Sequence, residues 1–435
     1  MIIKISDEYK SQLFEYFKGG VEMPIKNSGT NMSFIKYNDR YIFVCRNIYP
    51  IKNIIDKKKL IPGISQRSKN YLNKKMVIPF ITQDNVSDYY LWDWYNTYEV
   101  SIIFVGNLDK NLNITFDSSV EPVALINSKM SSLYKQNDEI KKSKIAEILE
   151  DYRIYKFNKR IYLINSSINA ILQLFLKNNS LKVIFKYNNI CLPTINLNKK
   201  RILNSTNNNY YKIYEKNWTL YKLILKEKKE SVFSFFHDFT KNGIEGVDYY
   251  PITNKCKKYI LVRYPTNTLP INSDIVRFSF GSTSIYFKSS KYKGYLGVGH
   301  LKINLLNKNK SELTKQELHF NNLFFNLNTS YKKTFGKKFK PHSRSLYLMF
   351  FFLYDNQNNK FYISDFYIPI FKYKYIFNII FPMSINEINN NIIISAGYGD
   401  YTNIFMKYTK KEIDDTPFYD ITTVDVTKLK TKLLF

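Results

Sequence analysis

Cysteine, histidine and glycine are all scarce in this chain, and each shortage closes off a class of protein. The three cysteines, Cys45, Cys191 and Cys256, are far apart and odd in number in a chain of 435 residues. They offer neither zinc-site spacing nor a disulfide framework, which suits a reducing compartment. The four histidines, His237, His300, His319 and His342, form no HxxxH or HExxH pair, so no metal and no other cofactor is expected. With only 14 glycines, Gly-rich fibrous repeats are excluded. The longest apolar run, Leu346 to Tyr354, falls far short of the ~20 residues of a membrane-spanning helix. Charges interrupt the first ten residues, so they do not read as a signal peptide. The expectation is a soluble cytoplasmic protein with no membrane span.

What is abundant points to strands. The chain carries 37 Tyr and 33 Phe, and 44% of its residues are hydrophobic. That is too apolar for disorder and rich in residues that fit a pleated surface. The net charge of +29 admits two explanations. One is a polyanionic partner such as phosphate, a sugar nucleotide or nucleic acid. The other is codon bias, since Lys, Asn, Ile, Tyr and Phe all have AT-rich codons. The lysines are spread along the chain, the dense run Lys57–Lys59 is short, and there is no Arg-rich stripe. Nucleic acid is therefore not expected as a partner.

Along the chain one unit recurs: strand, tight polar turn, strand. Residues 33–44 align with 153–164, with Lys36, Asn38 and Arg40 matched by Lys156, Asn158 and Arg160. Asn tolerates the left-handed backbone of a two-residue hairpin turn. Further hairpins are expected over 218–236, 284–298, 346–363 and 380–395. Helices are expected only over 7–17, 137–149 and 311–317. Strand pairs recurring over a whole chain suggest a propeller or sandwich array. No Cys-Trp-Cys pattern supports an immunoglobulin-like array. The fold expected is all-β, a five-bladed β-propeller with a few short helices and loop insertions. Residues 1–30 are assigned to a lead-in segment with a helix, and 31–435 to the propeller.

Polar residues gather at the predicted strand edges. Arg46 follows Phe43-Val44-Cys45, and Glu150-Asp151-Tyr152-Arg153 opens the next hairpin. Glu215-Lys216-Asn217-Trp218 opens another, Gly297-Val298-Gly299-His300 closes a fourth, and Gly397-Tyr398-Gly399-Asp400 closes the last. With Asn31 and Ser33 upstream, this ordered set resembles the inverting β-mannoside phosphorylases and hydrolases. It is also similar to their β-mannosyltransferase relatives and to glycosyltransferase-like propellers of large AT-rich DNA viruses.

The resemblance implies a five-bladed propeller whose site lies at the centre of one face. It makes Asp151 the general acid, acting through a sugar hydroxyl. It gives sugar binding to Asn31, Ser33, Arg46 and Asp400, and cationic roles toward phosphate or diphosphate to Arg153, Lys216 and His300. The partners it implies are a sugar-nucleotide or sugar-phosphate donor, a glycan acceptor and phosphate. The chain departs from the family at Tyr152, where the family has proline, and at Gly281-Ser282-Thr283-Ser284, where a Gly and a Pro are lost. Each residue also has a plainer reading. Asp151 and Arg153 suit a structural ion pair, His300 a packed strand histidine, Asp400 a turn cap beside Gly399, and Lys216 one more surface lysine. Trp92-Asp93-Trp94 sets two rings on one strand face and is the candidate sugar platform. A non-catalytic propeller that binds glycan or a partner protein is the alternative.

Overall fold

The computed structural model describes residues 2–5, 27–50, 99–108, 112, 114–115, 151–157, 160–165, 170–177, 180–184, 217–224, 232–250, 253, 255–265, 273, 276–304, 313–335, 345–369, 380–398 and 402–434. The helices expected over 7–17 and 137–149, and Trp92, Trp94, Lys216 and Asp400, lie outside these residues. The chain divides into two compact units, Ser6–Lys216 with Tyr401–Asn403, and Met1–Ile5, Asn217–Asp400 and Ile404–Phe435. Strand β1 (Ile2–Ile5) belongs to the second unit.

The first unit holds two antiparallel sheets. One runs β2 (Asn27–Tyr37), β3 (Arg40–Pro50), β4 (Glu99–Leu108) and β5 (Ile114–Thr115). The other runs β6 (Tyr152–Phe157), β7 (Arg160–Asn165), β8 (Ala170–Lys177) and β9 (Ser180–Ile184). The β2–β3 turn is the expected two-residue one: Tyr37 pairs with Arg40, and Asn38 is left-handed at φ 52°. These strands are buried on both faces along much of their length: Phe34, Ile42, Val44, Ile154 and Leu163 are fully buried, and Lys36 and Lys156 become exposed only toward the turns.

The second unit holds three sheets. The first is β10 (Thr219–Ile224), β11 (Val232–Thr240), β12 (Gly243–Tyr250) and β13 (Lys255–Arg263). The next begins with β14 (Val276–Lys288), β15 (Lys293–Asn304), β16 (Ser345–Asp355) and β17 (Lys360–Pro369). The last has β18 (Ile380–Ile388), β19 (Asn391–Tyr398) and β20 (Thr402–Thr409), completed by β1 against β20. The β18–β19 turn has both central residues left-handed, Asn389 at φ 49° and Asn390 at φ 61°. Two short strands, β21 (Phe418–Asp420) and β22 (Thr431–Leu434), cover the free edge of β17. Among the described residues five sheets, built mainly of consecutive antiparallel strands, are the five blades expected of this all-β chain.

The long apolar run 346–354 is β16, a central strand buried on both faces. Leu348, Phe350 and Phe352 join Phe236, Phe239 and Phe280 in one cluster. Met349, Phe351 and Leu353 join Ile385, Ile394 and Ile404 in another. Burying each such ring contributes about 2–3 kcal/mol. The glycines of Gly297-Val298-Gly299 answer to this packing. A Cβ on Gly297 would lie 2.3 Å from Phe352 Cζ, and one on Gly299 2.4 Å from Phe350 Cζ. Two missing side chains on β15 thus admit two rings from β16.

Three expectations change. The third helix is α1 (Lys315–Phe335), longer than the expected 311–317. Thr314 and Glu317 cap it reciprocally. Phe320, Leu323, Phe324 and Leu327 repeat at helical spacing and pack on the aromatic cluster, which carries the helix onward. Arg46 and His300 sit within β3 and β15, not at their ends, because backbone pairing continues past them, to Pro50 opposite Glu99 and to Asn304 opposite Ser345. Cys256 is disulfide-bonded, with its partner outside the described residues, whereas no disulfide was expected; Cys45 is free and buried. Among the described residues no helix is long and apolar enough to cross a membrane.

Candidate active site

The first unit brings together two polar side chains that lie 120 residues apart. Asn31 Nδ2 donates to Asp151 Oδ1 at 2.7 Å. Both residues are buried, at 4% and 7% exposure, and both adopt a left-handed backbone, φ 55° in each. Asn and Asp are the non-glycine residues that tolerate this conformation best. Asn31 lies within β2 beside an irregularity of its pairing, and Asp151 stands immediately before β6. Left-handed conformations cost about 1–2 kcal/mol in most residues, so their recurrence marks a geometry held by its surroundings.

The surroundings are identifiable. Ser33 Oγ accepts the backbone N–H of Ile154 at 3.1 Å, tying β2 to β6 two residues past the Asn31–Asp151 contact. Met32 N–H donates to Asn403 Oδ1 at 2.8 Å. Arg153, 1% exposed, lies two residues beyond Asp151. Burial lowers its guanidinium below the ordinary arginine value, while the nearby Tyr155 and Asp151 act in the opposite direction. Asn31 Oδ1 is buried and accepts no hydrogen bond from the described residues.

Of the residues expected in the site, Asn31, Ser33, Asp151 and Arg153 therefore form one connected group. Arg46 lies on β3 opposite Thr30, one residue before Asn31. His300 lies in the second unit, its ring 5.5 Å from Tyr347 and 4.8 Å from Phe381 between centroids. Lys216 and Asp400 are outside the described residues. Among the described residues no cluster of His, Cys, Asp and Glu suits a metal ion.

Asn217 was not anticipated. It is left-handed at φ 73° and buried, directly before Trp218 and β10. A local pattern links it to the other two: Asn31-Met32-Ser33, Asp151-Tyr152-Arg153 and Asn217-Trp218-Thr219 each read Asn or Asp, a large apolar residue, then a polar one. Thr219 repeats the office of Ser33, donating from Oγ1 to the carbonyl of Ser282 at 2.7 Å. Thr283 Oγ1 in turn accepts the N–H of Ile385 at 3.0 Å. Behind Trp218, His237 packs edge-on at 4.8 Å and pairs with Glu245 at 3.0 Å.

No family model and no curated protein sequence matches this chain. Solved structures do. A β-1,2-mannobiose phosphorylase from Listeria innocua is 11% identical, over 95% of this chain and 98% of its own, with a TM-score of 0.42. A mannose phosphorylase from Leishmania mexicana is 11% identical over 96% and 97%, with a TM-score of 0.38. A glycosyl hydrolase from Bacteroides ovatus is 10% identical over 88% and 85%, with a TM-score of 0.41. Likenesses this distant assign no activity to the chain, and the case for one rests on its own residues.

Proposed function

We propose that this protein makes or cleaves a glycosidic bond, of the β-mannosidic kind, with Asp151 as the general acid. The observation that carries the reading is the Asn31–Asp151 hydrogen bond, which fixes a buried carboxyl at the entry of β6. Breaking a glycosidic bond needs a proton at the bridging oxygen and stabilisation of an oxocarbenium-like state. Asp151 supplies the proton, through a sugar hydroxyl, as the bond from the anomeric carbon to that oxygen breaks. A phosphate oxygen forms the new bond to the anomeric carbon in phosphorolysis. The reverse step, or transfer from a sugar nucleotide, returns the proton to the carboxylate. Ser33 and Arg153, buried beside Asp151, enter the reading as sugar and phosphate ligands through the family resemblance. Arg46, Lys216, His300 and Asp400 enter the reading through the family resemblance, as ligands of sugar and phosphate.

The test is turnover. The purified chain is incubated with β-1,2-mannobiose and phosphate, with mannose 1-phosphate and acceptor sugars, and with GDP-mannose. Released phosphate, nucleotide and sugar are followed. Asp151→Asn is expected to reduce turnover by about 10²-fold or more. Absence of turnover with every donor, or turnover untouched by Asp151→Asn, refutes the reading.

One observation favours a second reading, a non-catalytic propeller that binds glycan or a partner protein. Asp151 is only 7% exposed and already engaged by Asn31, as a purely structural carboxylate would be. Glycan binding that survives Asp151→Asn, without turnover in either protein, selects it.

A further inference from the structure

Strand β2 carries one residue too many. Between Thr30, opposite Arg46, and Ser33, opposite Val44, β2 advances three residues while β3 advances two. The register passes over Asn31 and Met32. An extra residue of this kind is a β-bulge, which bends its strand and re-aims a side chain. Here the re-aimed side chain is that of Asn31, left-handed at φ 55°, whose Nδ2 donates to Asp151.

A bulge takes a backbone donor out of the ladder, and a buried donor needs another acceptor. Met32 is fully buried, and its N–H donates to Oδ1 of Asn403 at 2.8 Å. Asn403 comes from β20, 371 positions away. It is 1% exposed and heads the run Ile404-Phe405-Met406, every member of which is buried. An amide in such a run costs free energy that an apolar side chain would not. This amide supplies the acceptor that the bulge requires. Three successive residues of β2 are thus tied to three different points: Asn31 to Asp151, Met32 to Asn403, and Ser33 to the backbone of Ile154. The first and third ties end in β6 or just before it, and the middle one ends on β20.

We propose that Asn403 is a positioning residue of the candidate site: by holding the bulge of β2 it aims Asn31 at Asp151. Its effect on turnover rests on the proposed role of Asp151 as the acid, whereas its effect on the Asn31–Asp151 bond does not. In this role Asn403 acts through the Met32 backbone and not on the substrate.

A double-variant cycle in urea unfolding tests the tie without any substrate. Asn403→Leu removes the acceptor at similar volume, and Asn31→Gly removes the donor to Asp151 while keeping a left-handed backbone. When the bulge carries the effect, Asn403→Leu alone already loses the Asn31–Asp151 bond. The double variant then falls in urea midpoint by clearly less than the sum of the two single falls. Additive falls overturn the proposal. Asn403→Ala replaces Asn403→Leu in the same cycle if the leucine variant does not fold. Where the wild type turns over a donor, Asn403→Leu is expected to lower kcat about tenfold or more, with KM changed less than about twofold. Ile404→Val opens a small cavity in the same strand; it should lower the urea midpoint and leave kcat and KM as in the wild type. An unchanged kcat in Asn403→Leu overturns the proposal. So does a rise in KM that accounts for the whole fall in kcat/KM, which makes Asn403 a ligand of the sugar. Absence of turnover in the wild type removes the glycosidic reading and leaves the urea cycle to decide the role of Asn403, so the two failures are separately visible.

Discussion

Two seams between neighbouring sheets are built on the same hydroxyl clip and then diverge. Where β2 meets β6, Ser33 grips the backbone of Ile154; where β10 meets β14, Thr219 grips the backbone of Ser282 and Ser284 that of Leu220. The second seam is then filled with rings. Tyr221 stacks on Phe236 at 4.4 Å, Phe236 on Phe280 at 5.3 Å, and Phe280 on Phe239 at 4.5 Å. The first seam instead holds Asn31, Asp151 and Arg153, all buried. Buried polar groups cost free energy that rings return. A seam that keeps them where its counterpart packs phenylalanine is the one where a chemical role should be sought.

The ring-filled seam should break hardest. Phe352→Ala leaves a cavity facing Phe236, Phe280 and Phe361 and should lower stability by about 3–5 kcal/mol in urea unfolding. Gly297→Ala attacks the same place by overfilling. It drives a Cβ toward the tip of Phe352 and should lose about 1–3 kcal/mol. An unchanged urea midpoint in either variant would mean that the rings yield more easily than this packing implies.

The polar seam should be softer in stability and sharper in activity. Asn31→Gly keeps the left-handed backbone and deletes only the donor to Asp151. A loss of about 1–2 kcal/mol is expected, with a larger proportional fall in kcat than in stability if Asp151 is the acid. Loss of stability with kcat intact would make the pair structural. Asn217→Ala should lose about 1 kcal/mol more than Asn217→Gly, since glycine keeps the left-handed backbone and alanine does not. Equal losses in the two variants would show that the left-handed conformation is not what requires Asn217.

Alkali offers the mildest probe of the ring-filled seam. Burial, partly offset by its bond to Tyr259, pushes the Tyr221 hydroxyl up to about 12 from 10.0. A raised folded-state value means the neutral form is the one the fold favours. Its contribution is complete below the unfolded value of 10.0 and is lost as pH climbs through about 12. The urea midpoint should fall across that window, and Tyr221→Phe should flatten the fall.

Much of the fold was legible because its signals are local. Asn38-Asp39 and Asn389-Asn390 announce their turns through backbone chemistry alone, and the run 346–354 announces a strand covered on both sides. The length of α1 was not legible from its start, because what extends it is Phe320 and Phe324 meeting an aromatic cluster drawn from distant strands. The site was legible only in part. Asp151 stands out beside Arg153, but its contact with Asn31 spans 120 positions and leaves no periodic trace. Ser33, Thr219 and Thr283 look like ordinary strand hydroxyls until their backbone partners are seen. The Gly-Val-Gly-His segment reads in the sequence as the polar end of a strand, whereas its glycines make room for Phe350 and Phe352. Asn403 is anonymous in the sequence, and only its contact with Met32 draws it to the site.

The pairing of β1 with β20 has a consequence for how this molecule is made. Ile2 aligns with Lys407 and Ile5 with Ile404, so the outermost strand of the last sheet leaves the ribosome long before the edge it will dock against exists. During that interval Ile2, Ile3 and Ile5 remain an unsatisfied, sticky strand. The final sheet becomes whole only once residues 402–409 have been made, and a chain stalled before residue 404 would present two incomplete edges to its neighbours in place of one closed seam.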